Sequence, residues 1–399
     1  YTTLFRSGKC HAKDTPIIMY DGTIKMVQDI RVGDKLMGDN STPRTVLSLA
    51  QGKDDLYDII PVKGEKYTVN SEHILCLKPT RLGVKHVKSQ KLQYTASYIN
   101  TKTGTINGKS FKTKEEGNAF LDTIHTPEYI YEVAVKDYLN LSKSSRNNLK
   151  GYRVGVEFPV KKVDFDPYII GLWLGDGSQR DPLITSQDAT ILHYLQKTLP
   201  KYDLSLNYLD KYDYRISGYT GDIGSNKFLE VLKKYNIRNN KHIPDDYKIN
   251  SRDIRLQVLA GLIDSDGSAD NKGYEITQKN KTLADDIVYL ARSLGFAAYI
   301  KDCKKSCMYK GEKRTGKYHR ITISGDLLHE VPVKVPRKKL EPRLQVKDTA
   351  VTGITVKHIG IGNYYGFTLD NNQSNNLSSY SIRRYIRALL CNDLLPILA

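Results

Sequence analysis

Tyr168-Ile169-Ile170-Gly171-Leu172-Trp173-Leu174-Gly175-Asp176-Gly177 and Leu259-Ala260-Gly261-Leu262-Ile263-Asp264-Ser265-Asp266-Gly267 are the two stretches on which the reading turns. Both are apolar helix candidates closed by Asp-Gly, and their Gly-Leu pairs lie 90 residues apart. Each has two small residues four positions apart, Gly171 with Gly175 and Gly261 with Ser265. Glycine inside a helix costs about 1 kcal/mol relative to alanine, so its presence wants a reason. Small residues one turn apart let two helix backbones approach closely. Helices packed that way end side by side, with Asp176 and Asp266 together at their C-terminal ends. Each carboxylate then meets the other's charge and the negative end of the helix dipoles. A divalent cation relieves both, and oxygen ligands suit Mg²⁺. Metal ions placed between an attacking water and a leaving oxygen serve phosphodiester hydrolysis. The plainer alternative is two buried helices that happen to end in Asp-Gly turns. Two copies in a basic, duplicated region weigh against it.

The duplication extends beyond the two stretches. Ile191, Leu192, Leu195 and Leu199 share a helical face, as do Leu283, Ile287, Leu290, Ala291 and Leu294, the latter stopped by Gly295. Two strands end alike, in Tyr214-Arg215-Ile216-Ser217-Gly218 and Ile321-Thr322-Ile323-Ser324-Gly325. A lysine follows each, in Lys241-His242-Ile243-Pro244 and in Val335-Pro336-Arg337-Lys338-Lys339. Two related half-domains account for the pattern.

Upstream the character changes to β. Pro16–Tyr20, Asp21-Gly22 and Thr23–Met26 read as strand, tight turn, strand, and short alternating runs follow at 45–48, 57–60 and 67–69. From His73 to Lys114 there is no carboxylate, while Lys85, Lys88, Lys91, Lys109, Lys112 and Lys114 stand among Tyr94, Tyr98 and Phe111. One reading is a solvated insertion; the other is a phosphate-tracking arm. The net charge of +17 over 399 residues favours a polyanionic partner. A mean hydropathy of −0.48, with no apolar run near 18 residues, excludes a membrane-spanning helix. Five scattered cysteines do not make a disulfide scaffold and suit an intracellular setting, nuclear or cytoplasmic. Cys303-x3-Cys307 lacks a second pair of metal ligands, and Ser7-Gly8-Lys9 lacks the opening glycine of a phosphate loop. The opening at Tyr1 leads us to expect a chain cut from something longer.

The second stretch resembles the LAGLIDADG signature of homing endonucleases, and the first resembles its partner copy. The resemblance implies an α+β domain of two αββαββ halves that cuts a long asymmetric double-stranded DNA site as a monomer. It implies that Asp176 and Asp266 bind the catalytic Mg²⁺ and that one lysine per half assists. Lys241 matches the first; Lys339 is chosen for the second, with Lys338 as its rival. It also implies a sheet saddle on DNA, which puts Lys211, Arg215, Lys317 and Arg320 near the duplex.

Cys10, Asn70-Ser71-Glu72-His73 and Asn363-Tyr364-Tyr365-Gly366-Phe367-Thr368-Leu369 resemble the motifs of an intein of the vacuolar-ATPase type, in which an endonuclease interrupts an all-β Hint-type splicing domain. On this resemblance Cys10 attacks the Lys9 carbonyl, His73 protonates the leaving amide nitrogen and Asn70 binds the oxyanion. The multidomain chain then divides into a host remnant (1–9), the first part of the splicing domain (10–80) and a basic insertion with a return to that domain (81–160). The endonuclease follows (161–345, halves near 161–250 and 251–345), then the end of the splicing domain (346–373) and an atypical tail (374–399). Inteins usually end in His-Asn before Cys, Ser or Thr, and no His-Asn pair follows Leu369. The C-terminal splicing step is therefore in question, between a natural degenerate or frameshifted end and a truncated or modified one. Two other functional readings stay open: a DNA-binding protein without cleavage, and an autoprocessing domain with a vestigial nuclease.

Overall fold

The structure is a computed structural model that describes residues 10–38, 40–87, 93–100, 103–124, 130–218, 226–309, 312–342 and 348–370. The host remnant at 1–9, the tail at 374–399, Lys88 and Lys91 lie outside the described residues. The described residues form two compact units, one of residues 10–153 together with 351–370, the other of residues 154–350.

The first unit is built on strands. Asp21 accepts hydrogen bonds from the Thr23 amide and hydroxyl, and Gly22 supplies a φ of 86°. This closes the expected hairpin, in which Pro16–Ile18 pairs with Ile24–Met26. The runs at 45–48 and 57–60 are not separate strands. They belong to one strand, Pro43–Pro61, paired antiparallel with Ile354–Leu369. The polar Gln51–Asp55 stretch reads locally as a turn, but its ladder is supplied by residues some 300 positions away. Cys10–Ala12 lies in the same five-stranded sheet, between Ile354–Leu369 and Tyr67–Asn70. A second sheet joins Tyr131–Ala134, Ile74–Pro79, Leu149–Tyr152 and Val351–Thr352.

The basic insertion is folded. Gly83–His86, Tyr94–Ile99 and Ile106–Phe111 make a three-stranded antiparallel sheet, followed by the helix Lys114–Ile124. Gly117 of that helix sits so close to Val84 that a Cβ would lie 3.0 Å from its methyl carbons.

The second unit holds the two halves. Helix Arg252–Asp266 is followed by Gly267–Asp270, Gly273–Gln278, helix Lys281–Ser293, Ala297–Tyr309 and Glu312–Ser324, the αββαββ order. In the first half, helix Pro167–Asp176 is followed by a lone bridge between Gly177 and Ile184 and the short strand Leu183–Thr185. Helix Ala189–Thr198 and the strands Leu204–Asp210 and Asp213–Gly218 complete it. Its first strand has thus shrunk to a single bridge, because Ser178–Asp181 forms a tight turn in which the Ser178 hydroxyl accepts from the Arg180 and Asp181 amides. The unit also begins before residue 161. The Val156 amide donates to Ser293 O, Arg255 donates to Val156 O, and a Cβ on Gly155 would lie 2.9 Å from the Gly295 amide. These contacts bind the 154–158 segment to the second half.

Candidate active sites

The two motif helices touch along their glycines. A Cβ on Gly171 would lie 2.2 Å from Val258 O, one on Gly261 2.2 Å from Tyr168 O, and one on Gly175 2.0 Å from Ser265 Oγ. None of these positions admits a side chain. Ser265 folds its hydroxyl back onto its own helix, donating to Gly261 O and Leu262 O.

This packing brings the carboxyl groups of Asp176 and Asp266 together at the helix ends. Burial, then the Asp266 charge and the shared hydrogen bond, push Asp176 up to about 7. Gln278 Nε2 donates to Asp266 Oδ2 at 2.6 Å. Gln278 is a site residue that sequence reasoning missed; its signal is an inward position at the end of Gly273–Gln278, the second strand after the second motif.

Each helix end is also capped by a lysine. Lys241 Nζ donates to the carbonyls of Trp173, Gly175 and Gly177 at 3.0, 3.2 and 2.8 Å. Burial pulls it down to about 8, against the opposing pull of Asp266 and Asp176. Lys338 Nζ donates to the carbonyls of Ile263, Asp264 and Ser265 at 2.8, 2.8 and 3.3 Å. Lys338 is therefore the counterpart of Lys241, and the choice of Lys339 is corrected. The 3₁₀ turn Pro336–Lys338 faces Lys338 inward and leaves Lys339 exposed.

Two buried carboxylates fix the segments that carry these lysines. Asp286 accepts from the Ile243 amide and from Lys248 Nζ, both at 2.8 Å, while Asn280 Nδ2 donates to Lys241 O at 2.8 Å. Asp264 accepts from the Lys334 amide at 2.6 Å and the Tyr168 hydroxyl at 2.8 Å.

The surface cations are more dispersed than the sequence suggests. Lys211 is exposed at the turn joining Leu204–Asp210 to Asp213–Gly218, with φ of 51°. Arg215 is exposed on the second of those strands and Lys317 on Glu312–Ser324, but Arg320 is paired to Glu275 at 3.2 Å. In the folded insertion, Lys85 aligns with Thr95 and Ser110, whereas Lys109 aligns with Ala96 and Val84. The two lysines fall on opposite faces of the sheet, and Lys109 Nζ lies 4.5 Å from the centre of the Phe120 ring. Lys112 and Lys114 are exposed at the start of the helix.

In the first unit Cys10 and His73 are both buried. Cys10 pairs with Gly366 and His11 with Tyr365 and Val69. His73 follows Tyr67–Asn70 by three residues, and its ring lies 4.8 Å from that of His11. Asn70 Nδ2 donates to Asp54 Oδ2 at 3.0 Å, as does the Ser71 hydroxyl at 2.8 Å. Asp54 thus accepts from both Asn70 and Ser71 and fixes the orientation of the Asn70 side chain. Neither Asp54 nor His11 carries a sequence signal, because both are brought in by pairing between distant strands.

The Hom_end-associated Hint family model matches residues 10–380. The V-type proton ATPase catalytic chain of Candida tropicalis is 22% identical over 383 residues, covering 73% of this chain and 35% of that protein. The homothallic switching endonuclease of Saccharomyces cerevisiae is 29% identical over 161 residues, covering 33% of this chain and 28% of that protein. The chain thus spans about a third of the length of these relatives. A crystal structure of I-DmoI in complex with DNA and Ca aligns with 40% of this chain and 81% of its own, at 14% identity and a TM-score of 0.27, too low to weigh in the assignment. The chain belongs to the Hom_end-associated Hint family.

Proposed function

We propose that the chain is a bifunctional intein: a monomeric, site-specific endonuclease for double-stranded DNA, joined to a self-processing domain that acts in cis on its host protein through an acyl shift at Cys10. One observation supports the nuclease above all: two carboxyls meet where two glycine-packed helices end, each end capped by a buried lysine.

Asp176 and Asp266 would hold Mg²⁺. The fit lies in the donor set, oxygen atoms where burial and then the Asp266 charge push Asp176 up to about 7, a cost that a divalent cation offsets. Bound there, Mg²⁺ supplies charge stabilisation to the scissile phosphate. Gln278 orients Asp266. Lys241 and Lys338 neutralise the helix ends and present positive charge beside the carboxylates, where phosphate oxygens gather charge. Lys211, Arg215 and Lys317 contribute contacts to the duplex, and the folded insertion adds affinity with little sequence information.

In the Hint-type unit, Cys10 is the nucleophile and His73 the acid for the amide nitrogen, while Asn70, oriented by Asp54, receives the oxyanion. Two experiments test the reading. Incubation with a randomised duplex library should yield double-strand breaks at one selected site with Mg²⁺ and none with a chelator. A thiol nucleophile should release residues 1–9 from the wild type and not from Cys10→Ala; equal release from both would refute the processing role.

A further inference from the structure

We propose that Gln278 makes the cutting centre unequal. It holds the Asp266 carboxylate in place for one DNA strand, its counterpart Ser186 gives Asp176 no such support for the other, and the duplex is cut in a fixed order through a nicked intermediate. The inference rests on the nuclease role given above to Asp176 and Asp266, and Gln278 acts in it as a positioning residue.

The two motif helices meet with two-fold reciprocity. Gly171 packs on Val258 O and Gly261 on Tyr168 O, and each carbonyl belongs to the third residue before the opposite glycine. The antiparallel strands of a duplex have a two-fold of the same kind. One scissile phosphate therefore falls on the Asp266 side of the centre and the other on the Asp176 side.

The strands beside the helix ends keep one register in both halves. Gly267 pairs with Ile276, and Ile276 with Ile321. In the first half Gly177 bridges Ile184, and Ile184 pairs with Tyr214. Two residues further on, Gln278 pairs with His319, and the Ser186 amide donates to Tyr212 O at 2.8 Å. Ser186 thus occupies the place of Gln278.

The two side chains behave differently there. Gln278 is buried, and its Nε2 donates to Asp266 Oδ2 at 2.6 Å. Ser186 turns its Oγ to its own chain, where it accepts from the Asp188 amide at 3.2 Å. Among the described residues, no side-chain amide or hydroxyl donates to Asp176, whose hydrogen-bond partner is Asp266. The lysines do not supply the difference, because Lys241 and Lys338 each donate to three carbonyls of a helix end. The amide takes one of about four lone-pair sites on the Asp266 carboxylate and leaves the others for a cation. A carboxylate oriented in advance loses less freedom on binding, an effect worth about 10–100-fold in metal affinity or activity.

The test labels the two strands of a duplex bearing the selected site with different dyes and follows both in single turnover with Mg²⁺. The wild type should cut one strand about 10-fold faster than the other. Gln278→Met, which keeps the bulk and loses the donor, should bring the fast strand down to the rate of the slow one. Ser186→Gln should speed the slow strand. A change that only loosened the fold would slow both strands alike. Calorimetry of Mg²⁺ binding without DNA gives a readout apart from cleavage, in which Gln278→Met should lose about 10-fold in affinity. Equal strand rates in the wild type, or a strand ratio and an Mg²⁺ affinity unmoved in folded Gln278→Met, would overturn the proposal. Should Gln278→Met fail to fold, Ser186→Gln decides alone, and an unmoved strand ratio in it counts against the proposal. A wild type that cuts neither strand would instead refute the nuclease reading, while the Mg²⁺ affinities would still show whether Gln278 supports Asp266.

Discussion

Lys338 and Lys339 are chain neighbours with opposite surroundings. One is buried among the last carbonyls of the second motif helix, and the other is exposed to solvent. In single-turnover cleavage, Lys338→Ala should lose about 10²-fold or more, on the scale of a missing charge-stabilising group, while Lys339→Ala should stay close to wild type. Asp176 makes a prediction in pH. Its folded value of about 7 lies above the ordinary 3.8, so the native state holds a proton that the unfolded chain releases between those values. The stabilising contribution is fully present below about 3.8 and lost as pH rises through about 7. Without divalent cations, stability should fall across that window, and Asp176→Asn should flatten the fall in thermal unfolding. Calorimetry in buffers of different ionisation enthalpy should show Mg²⁺ binding release about one proton below pH 6 and none well above 7. Asp176, Asp266 and Lys241 are legible in the sequence because a repeated local motif carries them. The choice between Lys338 and Lys339 is not, because the phase of one short 3₁₀ turn decides it.

At the scale of the elements, the two motif helices depend on the absence of side chains at their crossing. Gly171→Ala or Gly261→Ala would drive a methyl into a backbone carbonyl 2.2 Å away. Either should cost about 3 kcal/mol in urea unfolding and part the two aspartates, so that cleavage falls with stability. The Asp286–Lys248 pair is a second structural dependence, since both side chains are buried and Asp286 also holds the Ile243 amide. Asp286→Asn removes the buried partner of Lys248, leaves it only the exposed Asp245 at 3.2 Å, and should cost about 3 kcal/mol by chemical unfolding. Helical periodicity makes the paired helices readable in advance. The 19-residue strand Pro43–Pro61 is not, because the partner that keeps Gln51–Asp55 extended is remote in sequence. The shrunken first strand of the first half is hidden for a related reason: a local turn at Ser178–Asp181 displaces the ladder that duplication implies.

At the scale of the whole molecule, each unit carries its own chemistry, and the domain limits follow packing more than composition. The second unit starts at Val154 because residues 155–156 bind the second half through Gly295 and Ser293. The folded insertion places Lys85 and Lys109 on opposite faces, so its charge acts as a diffuse field and not as a single stripe. Replacing residues 83–124 with a short linker should weaken DNA binding and flatten its dependence on salt, by about 0.9 in log–log slope for each phosphate no longer neutralised. Thiol-induced release of the first nine residues should persist, since Cys10, Asn70 and His73 lie outside that segment.

Paired carboxylates acting as one cutting centre are the central claim. Its most direct test is single-turnover cleavage of a supercoiled plasmid bearing the selected site, with Mg²⁺, by the wild type, Asp176→Asn and Asp266→Asn, alongside DNA affinity by gel shift. Both variants should bind as the wild type does and make no double-strand break. Linear product formed by either variant at the wild-type rate would contradict the claim.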